Sequence, residues 1–339
     1  MSDGTKPAAA TGDVRGGDDA IAVSVVIVNW NTKDLLRDCV ASIARETKRS
    51  HEAIVVDNAS SDGSGAMLAS EFPWVRRIEN QSNRGFAAAN NQGIAVARGQ
   101  YVLLLNPDTV VLDGAIDRCL DLMAARSDIA CLGCQVWEDE RTIQRTCFKF
   151  PTLLDDLLGS LHSDRLFPNS DWLGGPWLPS WDRRSEREVD VVSGMFMLVR
   201  RDVVERVGLL DEAYFVYGEE TDWCYRMHQL GLKRSFWPGA RILHLDGGGK
   251  STSQRSVAMY VQLQRSLLIF FRKYYGVVWE LLLRGAYVAR MVPRALGGLT
   301  RWLIGQRAAG SRVLAQSLAA MRLHLTESVA RHTRPRGHG

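Results

Sequence analysis

The chain has 339 residues, 46% of them hydrophobic and 24% charged, which excludes a disordered or fibrous protein and leaves enough length for a large α/β core. Its net charge of +4 hides an asymmetry: residues 260–339 carry thirteen Lys and Arg against Glu280 and Glu327, a local +11, so the rest of the chain carries −7. A basic end behind an acidic body suits an anionic partner such as a membrane surface or a nucleic acid.

Residues 1–20 are rich in Ala, Gly and Asp and lack an apolar h-region, so they read as a disordered leader and not a signal peptide. Val23–Val28 is an apolar, β-branched strand of the kind buried on both faces. A helix over Lys33–Thr47 follows, with Asn31-Thr32 as cap candidates. Ala53–Val56 is a second strand, ending at Asp57 in the turn-rich run Asp57-Asn58-Ala59-Ser60-Ser61-Asp62-Gly63. Helix Ser64–Glu71, strand Val75–Glu79, helix Phe86–Arg98 and strand Gln100–Leu105 complete a βαβαβαβ order. That order predicts a doubly wound, mostly parallel, Rossmann-like α/β sheet. Residues 137–190 have weak periodicity and read as an insertion or a long acceptor-side loop region. Val191–Arg200 reads as a strand, Gly218–Gly231 as a helix start and Arg241–Leu245 as a strand. From residue 256 the pattern is helical.

Ligands of doubly wound sheets bind beyond the carboxyl ends of the strands. Three polar clusters fall there: Asn29-Trp30-Asn31, Asp57-Asn58 and Asn106-Pro107-Asp108. Asp57 can accept the imide N–H of a uracil or thymine, or simply stabilise its turn. Gly85 precedes a helix of small residues containing Asn90, so backbone can approach a nucleotide there, with Arg84 balancing a phosphate; an ordinary loop-to-helix junction has the same pattern. Asp108 ends the most apolar strand and can place a hard cation against a diphosphate, while Asn106 offers only a neutral amide oxygen. Glu219, Glu220 and Asp222 crowd one helix start, which suits a general base or a merely acidic first turn. His244 closes an apolar strand as a core histidine or a metal ligand. The adjacent GGGKST fails the P-loop pattern because His244 stands where its first glycine belongs. Cys131 and Cys134 form a lone CxxC without the second pair of a zinc site, and the six cysteines read as reduced cytoplasmic thiols.

The segments VSVVIVNWN, IVVDNASSDGS, NRGFAAANNQG, LLLNPDT, DVVSGMFMLVRR, VGLLDEAYFVYGEETDWCYR and HLDGGGKS resemble, in order and spacing, the inverting family 2 glycosyltransferases of GT-A fold, most of all the rhamnosyltransferase-like branch of bacterial cell-surface glycan synthesis. The resemblance covers about residues 22–275. It implies a GT-A domain over 21–255, with a nucleotide-binding half at 21–130 and an acceptor half at 131–255. It implies that Asn29, Asn31, Asp57, Asn58, Arg84, Gly85, Asn90 and Asn106 contact the nucleoside diphosphate sugar, Asp57 through the base. Asp108 and His244 would bind Mg²⁺ or Mn²⁺. Glu220 would deprotonate the acceptor hydroxyl, with Asp222 and Glu219 sharing the motif. The Glu at 220 stands where the family usually has Asp, so the division of labour among the three stays open.

In residues 256–339 the longest charge-free run is far short of the ~20 residues a spanning helix needs. Aromatic and aliphatic residues mixed with regular Arg describe helices lying in a membrane interface, or else a packed helical appendage. A peripheral enzyme on the cytoplasmic face of the inner membrane would suit an acceptor carried on a polyprenyl diphosphate. Gly298 stands where processive synthases of the family have the Gln of Gln-x-x-Arg-Trp, so one sugar is transferred, favoured from dTDP-rhamnose over UDP-sugars. A sugar nucleotidyltransferase would need a Gly-rich basic loop after the first strand, which VNWNTKD lacks. A non-catalytic membrane scaffold or a nucleic-acid binder leaves the acidic cluster unexplained.

Overall fold

The computed structural model describes residues 20–161, 163–245 and 256–329. Nearly all of the expected leader, and most of the HLDGGGKS motif, lie outside the described residues. In chain order the elements are β1 (Val23–Asn29), α1 (Lys33–Glu46), β2 (His51–Asp57), α2 (Ser64–Glu71), β3 (Arg76–Glu79), α3 (Phe86–Val96), β4 (Tyr101–Leu105), β5 (Thr109–Leu112), α4 (Ala115–Ala125), β6 (Ile129–Trp137), β7 (Cys147–Phe148), α5 (Leu153–Ser160), α6 (Ser163–Leu166), β8 (Arg187–Glu188), β9 (Val191–Val192), β10 (Phe196–Arg200), α7 (Arg201–Val207), α8 (Glu219–Gln229), β11 (Lys233–His244), α9 (Val257–Tyr274), α10 (Val277–Leu303) and α11 (Arg307–Thr326).

The main sheet has the order β3-β2-β1-β4-β10-β6-β11-β5. Its first four strands are parallel, as the βαβ reading requires; β10 then runs antiparallel between β4 and β6. The fold is thus a mostly parallel mixed sheet covered by helices. Every residue of β1 is buried, as expected of a strand with helices on both faces. The small residues of α3 let it lie close to β1: a Cβ on Gly93 would stand 2.4 Å from Val26 Cγ1. The register pairs Asn29 with Asp57 and Ile27 with Leu105, so the three polar tips share one edge of the sheet.

The strand expected at Val191–Arg200 is broken in two. At Ser193-Gly194-Met195 the chain leaves β7 and joins β4, where Met195 O accepts the Asn106 N–H at 3.2 Å. The sequence reading also left β5, α4 and β6 unassigned. Strand β5 is only four residues long and begins directly after a turn, too short for its alternation to stand out.

Helix α9 is part of the body of the molecule. Its Leu268, Ile269, Phe270 and Phe271 are buried in the same cluster as Val102, Leu104 and Trp223. Helices α10 and α11 pack on each other and on α9, crossing closely where a Cβ on Gly310 would meet Gly298 O at 2.7 Å. The face of α10 turned away carries Val278 and Leu282 and, ten residues further on, Val292, Leu296, Leu299 and Leu303 at three- and four-residue spacing, all exposed. Among the described residues no helix is long and apolar enough to cross a membrane.

Candidate active site

The strand tips form a continuous hydrogen-bonded rim. Asn29 is fully buried: its amide donates to Asp57 Oδ1 at 2.7 Å and to Ser60 Oγ at 3.0 Å, and its carbonyl accepts from Thr32 Oγ1. Asp57 Oδ2 accepts the Ser60 N–H at 2.9 Å, which closes the turn; the carboxylate keeps lone pairs for a further donor. Asn31 takes a left-handed backbone and accepts from Ser61 N. Asn58 is a hub: its amide reaches Asn83 Oδ1 and Gly85 O, and its Oδ1 accepts from Asn80 and from Arg84 N. Gly85 has φ +84°, and a Cβ there would stand 2.4 Å from Phe215 O. Only glycine lets the loop before α3 touch the 211–218 segment so closely.

Asp108 and His244 are 136 positions apart and meet through strand pairing. Strand β11 runs antiparallel to β5 with His244 opposite Thr109, and Leu245 N donates to Asp108 O at 2.8 Å. The His244 Nε2 lies 3.0 Å from Asp108 Oδ2. The remaining side-chain atoms, Asp108 Oδ1 and His244 Nδ1, are buried without a hydrogen-bond partner among the described residues. Two ligands of one octahedral ion at about 2.1 Å stand about 3.0 Å apart when adjacent. This pair therefore fits a shared cation, with an orphaned atom on each side chain. Among the described residues no third His, Cys, Asp or Glu joins them, so other ligands would come from solvent or substrate oxygens. Asn106, held by its backbone to Met195 and Thr109, lines the same cavity as the pair.

Glu219 and Glu220 open α8 behind two consecutive left-handed residues, Tyr217 (φ +67°) and Gly218 (φ +90°). A non-glycine residue held there stores strain, which clusters at functional sites. One oxygen of each glutamate is buried without a partner among the described residues. Burial pushes the Glu219 carboxyl well above the usual carboxylate range, and the neighbouring Glu220 pushes it further. Burial raises Glu220 too, but the backbone N–H groups at the helix start and a hydrogen bond from Glu219 favour its charged form. Burial thus raises both carboxyls, and the two titrate as one coupled pair at the start of α8.

Both stations open on one cavity of about 1010 Å³, which Asn58, Gly85 and Asn106 also line. Six predicted residues do not line it. Asn29, Asn31, Asp57 and Asn90 are engaged in the local bonds of the rim or, for Asn90, with Phe86 O in its own helix. The Arg84 side chain is exposed. Asp222 is fully buried beneath the site, where its oxygens accept from Arg226 Nε at 2.9 Å, Lys273 Nζ at 2.6 Å and the Tyr274 hydroxyl at 2.7 Å. It pins α8 to α9 and presents no oxygen to the cavity. The lining residues that the sequence reading missed are Trp30, Gln144 and Tyr217, and Tyr260, Arg294 and Arg312 from the C-terminal helices. Trp30 and Tyr217 lay inside recognised motifs; the others carry no local signal.

The family model described as Glycosyl transferase family 2 matches residues 24–208, from β1 through α7. The chain belongs to glycosyl transferase family 2. It is similar to the N-acetylglucosaminyl-diphospho-decaprenol L-rhamnosyltransferase of Mycobacterium tuberculosis, 26% identical over 275 residues covering 77% of this chain and 87% of that protein. It is also 26% identical to the uncharacterized glycosyltransferase YibD of Escherichia coli K12 over 265 residues, 74% of this chain and 72% of that one. Among solved structures, the mannosyltransferase PcManGT from Pyrobaculum calidifontis in complex with GDP-Man and Mn²⁺ superposes with a TM-score of 0.50 at 15% identity, covering 90% and 87% of the two chains. That likeness is one of fold. As a family 2 member the chain is a glycosyltransferase, and the carboxylate-lined cavity is its candidate active site.

Proposed function

We propose that this glycosyltransferase moves one sugar from a nucleoside diphosphate sugar to a lipid-linked glycan acceptor, with inversion at the transferred carbon. The observation that carries the reading is the opening of Asp108–His244 and Glu219–Glu220 on a single cavity. Its volume of about 1010 Å³ stands at the upper end of the ~300–1,000 Å³ of common small-ligand sites, which suits a large donor. Asp108 and His244 would hold a divalent cation, Mg²⁺ or Mn²⁺, which would supply positive charge for the departing diphosphate; the solved mannosyltransferase of the same fold is in complex with Mn²⁺. On the opposite side of the chemistry Glu220 accepts the proton of the acceptor hydroxyl. The new bond from that oxygen to the sugar carbon forms as the bond to diphosphate breaks, and the configuration inverts. Glu219, keeping its proton, holds Glu220 in place and leaves it the available base.

Asp57 does not itself line the cavity, but it precedes the lining Asn58 and keeps lone pairs for an imide N–H, which supports uracil and thymine donors. The similarity to a rhamnosyltransferase with a diphospho-decaprenol acceptor favours dTDP-rhamnose and a polyprenyl-diphosphate-linked acceptor. The exposed apolar stripe of α10, beside the basic helices, supports peripheral seating on an anionic lipid surface. The test is a donor screen that measures release of each nucleoside diphosphate with Mg²⁺, with Mn²⁺ and with chelator. Cation-dependent release from dTDP-rhamnose supports the reading; release indifferent to chelator contradicts the cation site.

A further inference from the structure

The cavity has a wall that belongs to neither carboxylate station. Tyr260 of α9, Arg294 of α10 and Arg312 and Gln316 of α11 line it together with Glu219 and Glu220. The half-buried Arg294 donates to the Tyr260 hydroxyl at 2.7 Å and to Gln316 Oε1 at 2.8 Å, and its guanidinium lies 4.7 Å over the Tyr260 ring. All of these partners are neutral. Arg312 is exposed at the mouth. Neither arginine has a carboxylate partner among the described residues, although their neighbours do: Arg265 pairs with Glu327, Arg272 and Arg284 with Glu280, and Arg290 with Asp156. Holding a partly desolvated guanidinium without a counter-charge is costly unless an anion arrives to meet it.

The wall also has a definite side. Gln262 and Ser266 of α9 both donate to Val216 O, two residues before the Gly218 that starts α8. Through Tyr260 and α9 the wall is therefore fastened to the segment that leads into Glu219 and Glu220, where the acceptor hydroxyl approaches in the transfer reading. Arg294 lies on α10 between Val292 and Leu296 of the exposed apolar stripe, so one helix carries both an apolar outer face and a cation in the cavity. Paired guanidinium forks match the oxygens of a diphosphate.

We propose that Arg294 and Arg312 form an anion subsite for the diphosphate of the lipid-linked acceptor, fixing the acceptor sugar's distance from Glu220. This deepens the transfer reading above and rests on it for the word acceptor. The chemistry recognised is a diphosphate, whether on a lipid or free.

The first test is binding without turnover. Farnesyl diphosphate and inorganic pyrophosphate are titrated against the full chain in chelator, where the Asp108–His244 station lacks its cation. Wild type should bind farnesyl diphosphate, with Arg312→Gln weakening it about tenfold or more, the scale of one charge-assisted contact, and Arg294→Gln/Arg312→Gln weakening it further. Among the described residues Arg312 has no side-chain partner to lose, so its variant should fold. Equal affinity in wild type and variants overturns the subsite; pyrophosphate binding as tightly as farnesyl diphosphate overturns its lipid assignment. The second test is turnover with N-acetylglucosamine joined to farnesyl through a diphosphate or through an ether. The ratio of kcat/KM for the two acceptors should fall about tenfold or more in Arg312→Gln. Equal loss for both acceptors, or a rise in donor KM, refutes the assignment. Because the binding arm needs no sugar transfer, failure of the subsite and failure of the transfer reading give different results.

Discussion

Replacing Glu220 by Gln removes the proposed base while keeping the shape of the side chain. The amide can still receive the hydrogen bond from Glu219, so the start of α8 and the strained Tyr217–Gly218 turn should survive. The loss should therefore fall on kcat. General base catalysis contributes about 10²–10⁴-fold, equivalent to about 3–5 kcal/mol of transition-state stabilisation, and donor affinity should be unchanged because Asp108, His244 and the strand tips are untouched. Glu219→Gln should behave differently. In the proposed assignment Glu219 is the proton holder, its carboxyl raised by burial and by its neighbour, so a neutral Gln that still donates to Glu220 should keep activity within about tenfold, less than the loss of a base. The assay is dTDP release from dTDP-rhamnose at saturating acceptor, alongside dTDP binding by calorimetry. If Glu219→Gln is as inactive as Glu220→Gln with donor binding intact, the assignment of proton holder and base is reversed. If Glu220→Gln loses donor binding, Glu220 is a donor contact.

Four further outcomes follow from the same structure. Glu219→Gln should stabilise the fold increasingly as pH rises above its ordinary value of 4.5, because a carboxyl with a raised folded pKa loses its stabilising protonation advantage as pH rises toward that pKa; thermal unfolding across pH 4–8 checks this, and a constant difference contradicts it. Asp222→Ala leaves Lys273 and Arg226 facing a void and should cost about 3–5 kcal/mol in denaturant unfolding, whereas a surface-like cost below about 1 kcal/mol would refute its role as a buried pin. Gly85→Ala drives a Cβ toward Phe215 O and should destabilise by more than about 1 kcal/mol while lowering kcat, since the same contact holds the segment leading to Glu219. Leu282→Asp with Leu296→Asp should abolish flotation with anionic vesicles without moving Tm, and unchanged flotation would show that the α10 stripe is not the membrane face.

The parallel half of the fold was legible because β1, β2 and β4 are long apolar runs that stop at polar tips, and a parallel sheet makes those tips neighbours whatever lies between them. The Asp108–His244 contact was legible at one remove: Asp108 follows one strand and His244 ends another, but only the β5–β11 register brings them to 3.0 Å. Strand β5 is too short to announce itself, so that contact was an implication of family resemblance and not of pattern. Asp222 shows the converse failure. Three acidic residues at a helix start look equivalent in sequence, yet the turn of α8 sends Asp222 inward to Lys273 and Tyr274 and leaves Glu219 and Glu220 on the cavity. The basic C-terminal helices read as an appendage because their charges are regular. The burial of Phe270 and Phe271 against the sheet, and the entry of Arg294 into the cavity, depend on long-range packing that no local period encodes.

The most direct measurement is Mn²⁺ electron paramagnetic resonance of the full chain with and without dTDP. Asp108 and His244 supply only part of a coordination shell, so tight Mn²⁺ binding should require the diphosphate, show nitrogen coupling from one imidazole, and disappear in Asp108→Ala. His244→Ala should lose the coupling. An imidazole signal that persists in His244→Ala, or Mn²⁺ bound equally well without dTDP and without Asp108, would contradict a donor-linked cation site built by the β5–β11 pair.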